Sequence, residues 1–263
     1  MSPDRRPRIR VTFLPVLRTL RELYLQPRDM TRFMAYIATL TGGTDDVVLP
    51  IGVANPMARE HAVARIDELL ALGADAIAGA AAETAAARLA NVPLDVKIKA
   101  TLVLADDVGG GWTNRFTTEA SVRFPSRGAL KRPFASALTW TSEAQPTPEQ
   151  IRSEVLAVIY RVAHQQRHGL PTTLETMLAQ EGLAAAFAGL QPALPPDDLA
   201  RGRALLAHLG ADPPYPQVFA VLYGDAAAVE LGYQPLGLPP RAGFDIAVAD
   251  ALARRLDPVA ALT

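Results

Sequence analysis

Asp95-Val96-Lys97-Ile98-Lys99-Ala100-Thr101-Leu102-Val103-Leu104 is the stretch on which the fold turns. Val96, Ile98, Ala100, Leu102 and Leu104 alternate with Asp95, Lys97, Lys99, Thr101 and Val103. A period of two sends the two sets to opposite faces of a strand. One apolar face opposite one polar face is the pattern of an antiparallel sheet covered on one side. Residues 115–124 alternate in the same way, with Phe116, Ala120, Val122 and Phe124 as inward positions. Phe134–Thr141 supplies a third apolar run. The expectation is an α+β fold: a small antiparallel sheet over about residues 95–141, packed against a predominantly helical surround.

On the N-terminal side the periods are helical. Leu17, Leu20, Tyr24 and Leu25 fit one short helix, and Asp29 can cap a second, ended by Gly42. Val47–Ile51 reads as a short strand that Pro50 confines to an edge or an end. Asn55-Pro56 opens a helix expected to run through Ala71, and the alanine-rich residues 74–89 form the next. Beyond the sheet, Thr147-Pro148-Glu149-Gln150 is a capped helix start, and Thr172 or Thr173 caps another. Prolines at 192, 195 and 196 and at 213, 214 and 216 mark connectors between further helices. The chain reads as one domain over 1–263, with a subdivision into a mixed region 1–145 and a helical region 146–263 as the alternative.

Composition excludes several classes. The 263 residues are 49% hydrophobic and 20% charged, with a net charge of −1, and no cysteine. There is no basic footprint of a nucleic-acid binder; Arg5, Arg6, Arg8 and Arg10 are a local cluster read as a solvated tail. Without cysteine there is no disulfide, thiol catalysis or all-cysteine zinc site. No stretch approaches the roughly 20 apolar residues that span a bilayer. No signal peptide is recognisable, since the run Val11–Leu17 is short and holds Pro15. A cytoplasmic protein without nucleic-acid or membrane partners is expected.

The loop after the strand, Ala105-Asp-Asp-Val-Gly-Gly-Gly-Trp-Thr-Asn-Arg-Phe116, is the candidate site. Glycines let backbone turn sharply or approach a ligand, and loops at strand ends carry binding groups. Trp112 offers flat apolar area, Asn114 a donor and an acceptor, and Arg115 a fork for a carboxylate. Asp106, Asp107 and Glu119 are oxygen ligands that would suit a divalent metal such as Mg²⁺ or Ca²⁺. The plain structural alternative is that the acids form turns, Trp112 packs inward and Arg115 points out. No phosphate-loop motif and no serine nucleophile elbow is present.

His164 and His168 stand at i, i+4 on one helix, the spacing of zinc helices. Gln165 occupies the place a general base would take, and Arg167 beside them opposes a cation. His61 and Glu181 are the further metal candidates; the alternative is a helix C-terminal turn that suits histidine. Two functional classes stay open. One is a helical scaffold or binding protein for a small polar molecule or a protein partner, self-association included. The other is a metal-assisted hydrolase acting on a small polar or acidic substrate.

Overall fold

In the computed structural model the alternating stretch is a strand, but its partners run the same way. The structure describes residues 8–108, 114–210 and 212–263. β1 (Ile9–Phe13), β2 (Val96–Ala105) and β3 (Phe134–Trp140) form one sheet in the order β1-β2-β3. Ile9 pairs with Val96, and Lys99 with Phe134, both in parallel register. The antiparallel expectation is therefore wrong. Its physical error lies in the second half of β2, where Val103 is as buried as Leu102 and Leu104. A strand covered on both faces is what parallel sheets contain. Only Lys97 and Lys99, at the N-terminal end, create the appearance of a wet face.

Parallel pairing needs crossovers, and the chain supplies helices for them. Between β1 and β2 lie α1 (Leu17–Tyr24), α2 (Met30–Thr41), α3 (Glu60–Ala71) and α4 (Ala74–Arg88). Between β2 and β3 lies α5 (Arg115–Arg123), followed by a 3₁₀ turn (Arg127–Lys131). Residues 115–124 are thus helical, not a strand. Asn114 caps α5 by accepting from the Thr117 amide at 3.0 Å, and Arg123 binds Glu119 one turn back at 2.7 Å.

One layer over the sheet is helical: α4 packs on β1 and β2, α1 reaches β2, and α3 packs on both α1 and α4. The alanines of α4 at 74, 78, 81, 82 and 85 are buried, which lets that helix lie close. Residues 47–51 are not a strand. They form a strap held by side chains of the sheet: Lys99 Nζ donates to the Val48 carbonyl at 2.9 Å, while Thr101 and Ser136 hydroxyls both donate to the Pro50 carbonyl at 3.1 and 2.8 Å. Two residues of different strands thus satisfy one backbone oxygen of a segment that has no strand ladder of its own. Gly42 ends α2 with φ of 58°, a conformation that other residues rarely adopt. After β3, α6 (Pro148–His168) opens with the Thr147–Gln150 exchange expected from sequence. Gln165 Nε2 donates to the Arg123 carbonyl at 2.9 Å, tying α6 to the end of α5.

The chain divides into two units, Met1–Arg167 and His168–Thr263. The second holds α7 (Leu174–Ala188), α8 (Pro196–His208), α9 (Tyr215–Tyr223), α10 (Asp225–Glu230) and α11 (Ala242–Ala253). α7 lies against α11 at Gly182, where a Cβ would stand 2.5 Å from the Ala247 carbonyl oxygen. Around α9, Phe219 stacks on Tyr223 at 4.8 Å between ring centroids, and Tyr223 meets the edge of Phe244 at 5.2 Å. Among the described residues, no single helix is long and apolar enough to cross a membrane; the bent pair α3 and α4 passes by length and composition only, and its apolar side chains line the core of the first unit.

Candidate functional site

Two strands running the same way deliver their C-terminal ends side by side. β2 ends at Ala105 and β3 at Trp140, which are direct partners in the register. The next residues, Asp106 and Asp107 after one strand and Thr141 and Ser142 after the other, therefore converge. In open parallel sheets ligands bind at this carboxyl end, because strand termini deliver side chains there while the helices occupy the faces.

Asp106 is at the centre. Its carboxylate is 5% exposed and takes donors from three different segments. His61, at the start of α3, meets Oδ1 through Nε2 at 2.7 Å. Thr141 Oγ1 donates to the same oxygen at 3.0 Å, and the Val108 amide lies 3.3 Å from it. Asn55 Nδ2 donates to Oδ2 at 2.9 Å. A carboxylate only accepts hydrogen bonds, so the His61 nitrogen that faces it is the protonated one. Nδ1 of the neutral ring then carries the lone pair. The ring is 33% exposed, so one ring nitrogen is held by a buried acid while the side chain retains access to solvent.

Asn55 explains why α3 begins later than its sequence signal. Its Oδ1 accepts from the Met57 amide at 2.9 Å, as an N-capping asparagine does, but its amide group is committed to Asp106. The chain makes an isolated turn at residues 55–58, and regular helix starts at Glu60, which puts His61 in the first turn.

Asp107 is bound from the β3 side. Ser142 donates to it twice, through its amide at 2.9 Å and its hydroxyl at 2.6 Å. Thr141 Oγ1 also stands 3.0 Å from Asp107 Oδ1 while accepting from the Asp107 amide at 3.1 Å. With a single proton, this hydroxyl serves one carboxylate at a time. Arg115 is already engaged: Nη2 binds Glu143, Nη1 is 3.9 Å from Asp107, and the guanidinium lies 5.3 Å from the centre of the Trp140 ring. It closes the acidic end of the site rather than offering a free fork.

The other sequence candidates scatter. Asn114 is spent on capping α5, and Glu119 is buried against Arg123 on the far turn of that helix. Trp112 and the three glycines before it lie outside the described residues. The proposed metal set does not assemble. His61 belongs to Asp106, His168 binds the Ala261 carbonyl at 2.8 Å, and Glu181 accepts from Gln180 at 3.0 Å in the second unit. His164 lies with its ring 6.2 Å from that of Tyr160. Among the described residues, no group of three or more histidine, aspartate and glutamate side chains could hold a metal ion.

Sequence reasoning missed Asn55, Thr141, Ser142 and Glu143 as members of the site, because a hairpin would not have placed residues 141–143 beside 106 and 107. It also missed a group of buried polar side chains on the neighbouring helices. Arg32 of α2 is 4% exposed; it donates through Nη1 to the Ala58 carbonyl at 3.0 Å, and Nε stands 3.5 Å from the Pro27 carbonyl. Burial, with Arg28 nearby, lowers its pKa from the usual arginine value. Tyr36, one turn on, donates to the Ile51 carbonyl at 3.1 Å, and burial pushes its hydroxyl up to about 12. Tyr24 of α1 is 5% exposed; burial first, then the neighbouring Tyr36 and Asp106, keep its hydroxyl protonated far above the ordinary tyrosine range, and only Arg32 works the other way. Comparison of the chain with family models, with curated proteins and with solved structures gives no match.

Proposed function

We propose that this globular α+β protein binds a small polar molecule at the carboxyl end of its parallel sheet, and that His61, held by Asp106, moves a proton to or from it. The single observation that carries this reading is the 2.7 Å His61–Asp106 hydrogen bond, made to a buried carboxylate that Asn55 and Thr141 also hold. An imidazole whose tautomer is fixed by a buried acid presents a defined lone pair, the arrangement that general acid–base groups use. A purely structural histidine would be expected to be covered, whereas this ring is one-third exposed. Asp107, Ser142 and Thr141 supply neighbouring polar atoms for orientation.

The test is an NMR screen of ¹⁵N-labelled full-length protein against small polar fragments. Two-bond ¹H–¹⁵N spectra should show the Nε2–H tautomer of His61, and hits should move the signals of His61, Thr141 and Ser142. His61→Gln should lose those hits while keeping the melting temperature. An Nδ1–H tautomer, or hits indifferent to His61→Gln, would refute the proposal.

A second reading, self-association, has one observation in its favour. Met30 and Met34 stand one turn apart on α2 and are 66% and 58% exposed, with Leu25 just before them 58% exposed. Adjacent exposed apolar side chains mark contact surfaces. Light scattering on the wild type and on Met34→Glu decides it: a dimer that becomes a monomer supports the reading, and a wild-type monomer removes it.

A further inference from the structure

We propose that Ser142 senses the ligand and that Thr141 is the positioning residue that passes its state to His61, along a file of hydrogen bonds through two buried carboxylates. The inference rests on the ligand reading above and gives that site its direction of proton transfer. The file is continuous in distance. Ser142 Oγ donates to Asp107 Oδ2 at 2.6 Å, and Asp107 Oδ1 is 3.0 Å from Thr141 Oγ1. Thr141 Oγ1 is 3.0 Å from Asp106 Oδ1, and that oxygen is 2.7 Å from His61 Nε2. Its two ends are wet and its middle is dry. Ser142 is exposed and the His61 side chain partly so, whereas Asp106 and Asp107 have buried carboxylates. Hydrogen bonds couple more strongly where water is excluded.

Thr141 is the movable part. Its oxygen is pinned, because it accepts from the Asp107 amide at 3.1 Å. Its one proton has two carboxylate oxygens at the same distance, so the better acceptor takes it. Ser142 sets which one that is. With the Ser142 hydroxyl on Oδ2 and the Ser142 amide 2.9 Å from Oδ1, Asp107 is well supplied, and the Thr141 proton goes to Asp106. A ligand with an acceptor oxygen draws the Ser142 hydroxyl to itself, and the Thr141 proton turns to Asp107. Asp106 then loses a donor and holds an imidazolium more firmly. Binding thus primes His61 Nδ1 to take a proton from the ligand, the role of a general base. The ligand class is a polar molecule with an acceptor oxygen and a proton to give up.

Ser142 is fixed in place for this. Glu143 beside it is gripped twice, its carbonyl by Arg65 of α3 and its carboxylate by Arg115 of α5. Gln145 Nε2 also donates to the Glu68 carbonyl at 3.3 Å. The charged groups around the pair are Arg59, Glu60 and Arg65 on the segment of His61 itself, Arg115 and Glu143 across the site, and Arg32 of α2 at the Ala58 carbonyl. Tyr24 of α1 is a neutral phenol, and Asp75 of α4 lies near the start of α1. Every one of them is kept in the variants below, so differences between variants report the two hydroxyls.

The test needs no ligand. The His61 ring signals of the full-length ¹³C,¹⁵N-labelled chain, identified by their loss in His61→Gln, are followed against pH by NMR. The proteins are the wild type, Ser142→Ala, Thr141→Val and the double variant. Ser142→Ala should raise the His61 midpoint by about half a pH unit, the effect of one hydrogen bond lost further along the file. On the Thr141→Val background the same change should do nothing. Thr141→Ser, which keeps a hydroxyl, should retain the response. A Ser142→Ala shift that is absent, or equal with and without the Thr141 hydroxyl, overturns the relay. Where Thr141→Val does not fold, the Asp106 carboxyl ¹³C signal in Ser142→Ala decides: a displaced signal supports the relay and an unchanged one overturns it. The earlier reading fails separately. Fragments that move His61 without such coupling sink only the relay, whereas a coupled file with no fragment hits sinks the ligand reading and, with it, the sensing role of Ser142.

Discussion

Replacing Asp75 by asparagine should make the first unit more stable at neutral pH, and the gain should vanish in acid. Asp75 stands in the first turn of α4, with the backbone N–H groups of Leu17 and Val16 at the start of α1 near enough to favour its charged form. Its Oδ1 is buried without a partner among the described residues. Burial outweighs the pull of those two amides and pushes the carboxyl from 3.8 up to about 6. The sign is opposite to that of a salt-bridged aspartate. Between those two values the folded state binds more protons than the unfolded one, so this group's contribution to stability falls as pH rises through about 6. Above that the full penalty is present; below the unfolded value it is gone. A displacement of roughly two pH units converts to about 3 kcal/mol. The carboxyl is partly exposed, and water screening reduces this to about 1–2 kcal/mol. Asparagine keeps the shape and a carbonyl oxygen but has no charge to desolvate.

The assay is urea unfolding followed by tryptophan fluorescence. Trp112 and Trp140 both belong to the first unit, so they report that unit's transition. The stability difference between Asp75→Asn and wild type, taken at about pH 7.5 and about pH 4, cancels every other titrating group. A pH-independent difference, or one that favours the wild type as pH rises, would refute the reasoning.

Other substitutions probe separate parts of the fold. Gly182→Ala should destabilise the second unit by about 1–3 kcal/mol, because the new methyl meets the Ala247 carbonyl and two packed helices must separate; calorimetry should show a lowered transition, and an unchanged one would contradict the close approach. Arg123→Met should cost about 3 kcal/mol, since Glu119 stays buried without its guanidinium, whereas Arg123→Met with Glu119→Gln should cost less than the single change. Additive losses in that double-mutant cycle would argue against a coupled pair. Asn114→Ala should cost about 1 kcal/mol through the lost cap of α5, and Asn114→Asp should restore most of it.

Local signals were read well from sequence where a single residue decides the geometry. Asp29 caps α2, Gly42 ends it, Thr147 and Gln150 open α6, and Thr173 caps α7 through an exchange with Thr176. Strand direction was not legible, because alternation speaks of exposure and not of the neighbour's polarity. The six consecutive buried residues that end β2 carried the better signal: a strand covered on both faces belongs between helices or straps. The misread residues 115–124 held competing evidence, an asparagine three positions before a threonine amide it could cap and an oppositely charged pair at i, i+4. Within the site, Asp106 and Asp107 were legible because they follow a strong strand. The burial of Arg32 and Tyr24 on the neighbouring helices was not, since an arginine at an apparently helical surface position gives no sign that tertiary packing will enclose it.

The register carries a consequence for how the molecule comes into being. Ile9 pairs with Val96, and β2 must in turn meet Phe134 before its second edge is covered. During synthesis the first strand leaves the ribosome long before any segment that can sit beside it, while α1 to α4 emerge in between with their apolar stripes ready. The helical hairpins are thus free to collapse first, and the sheet closes late, across distant parts of the chain. Pulse proteolysis of ribosome-stalled chains should find the amino-terminal segment cleavable until the residues of β2 have cleared the exit tunnel, and protected soon afterwards.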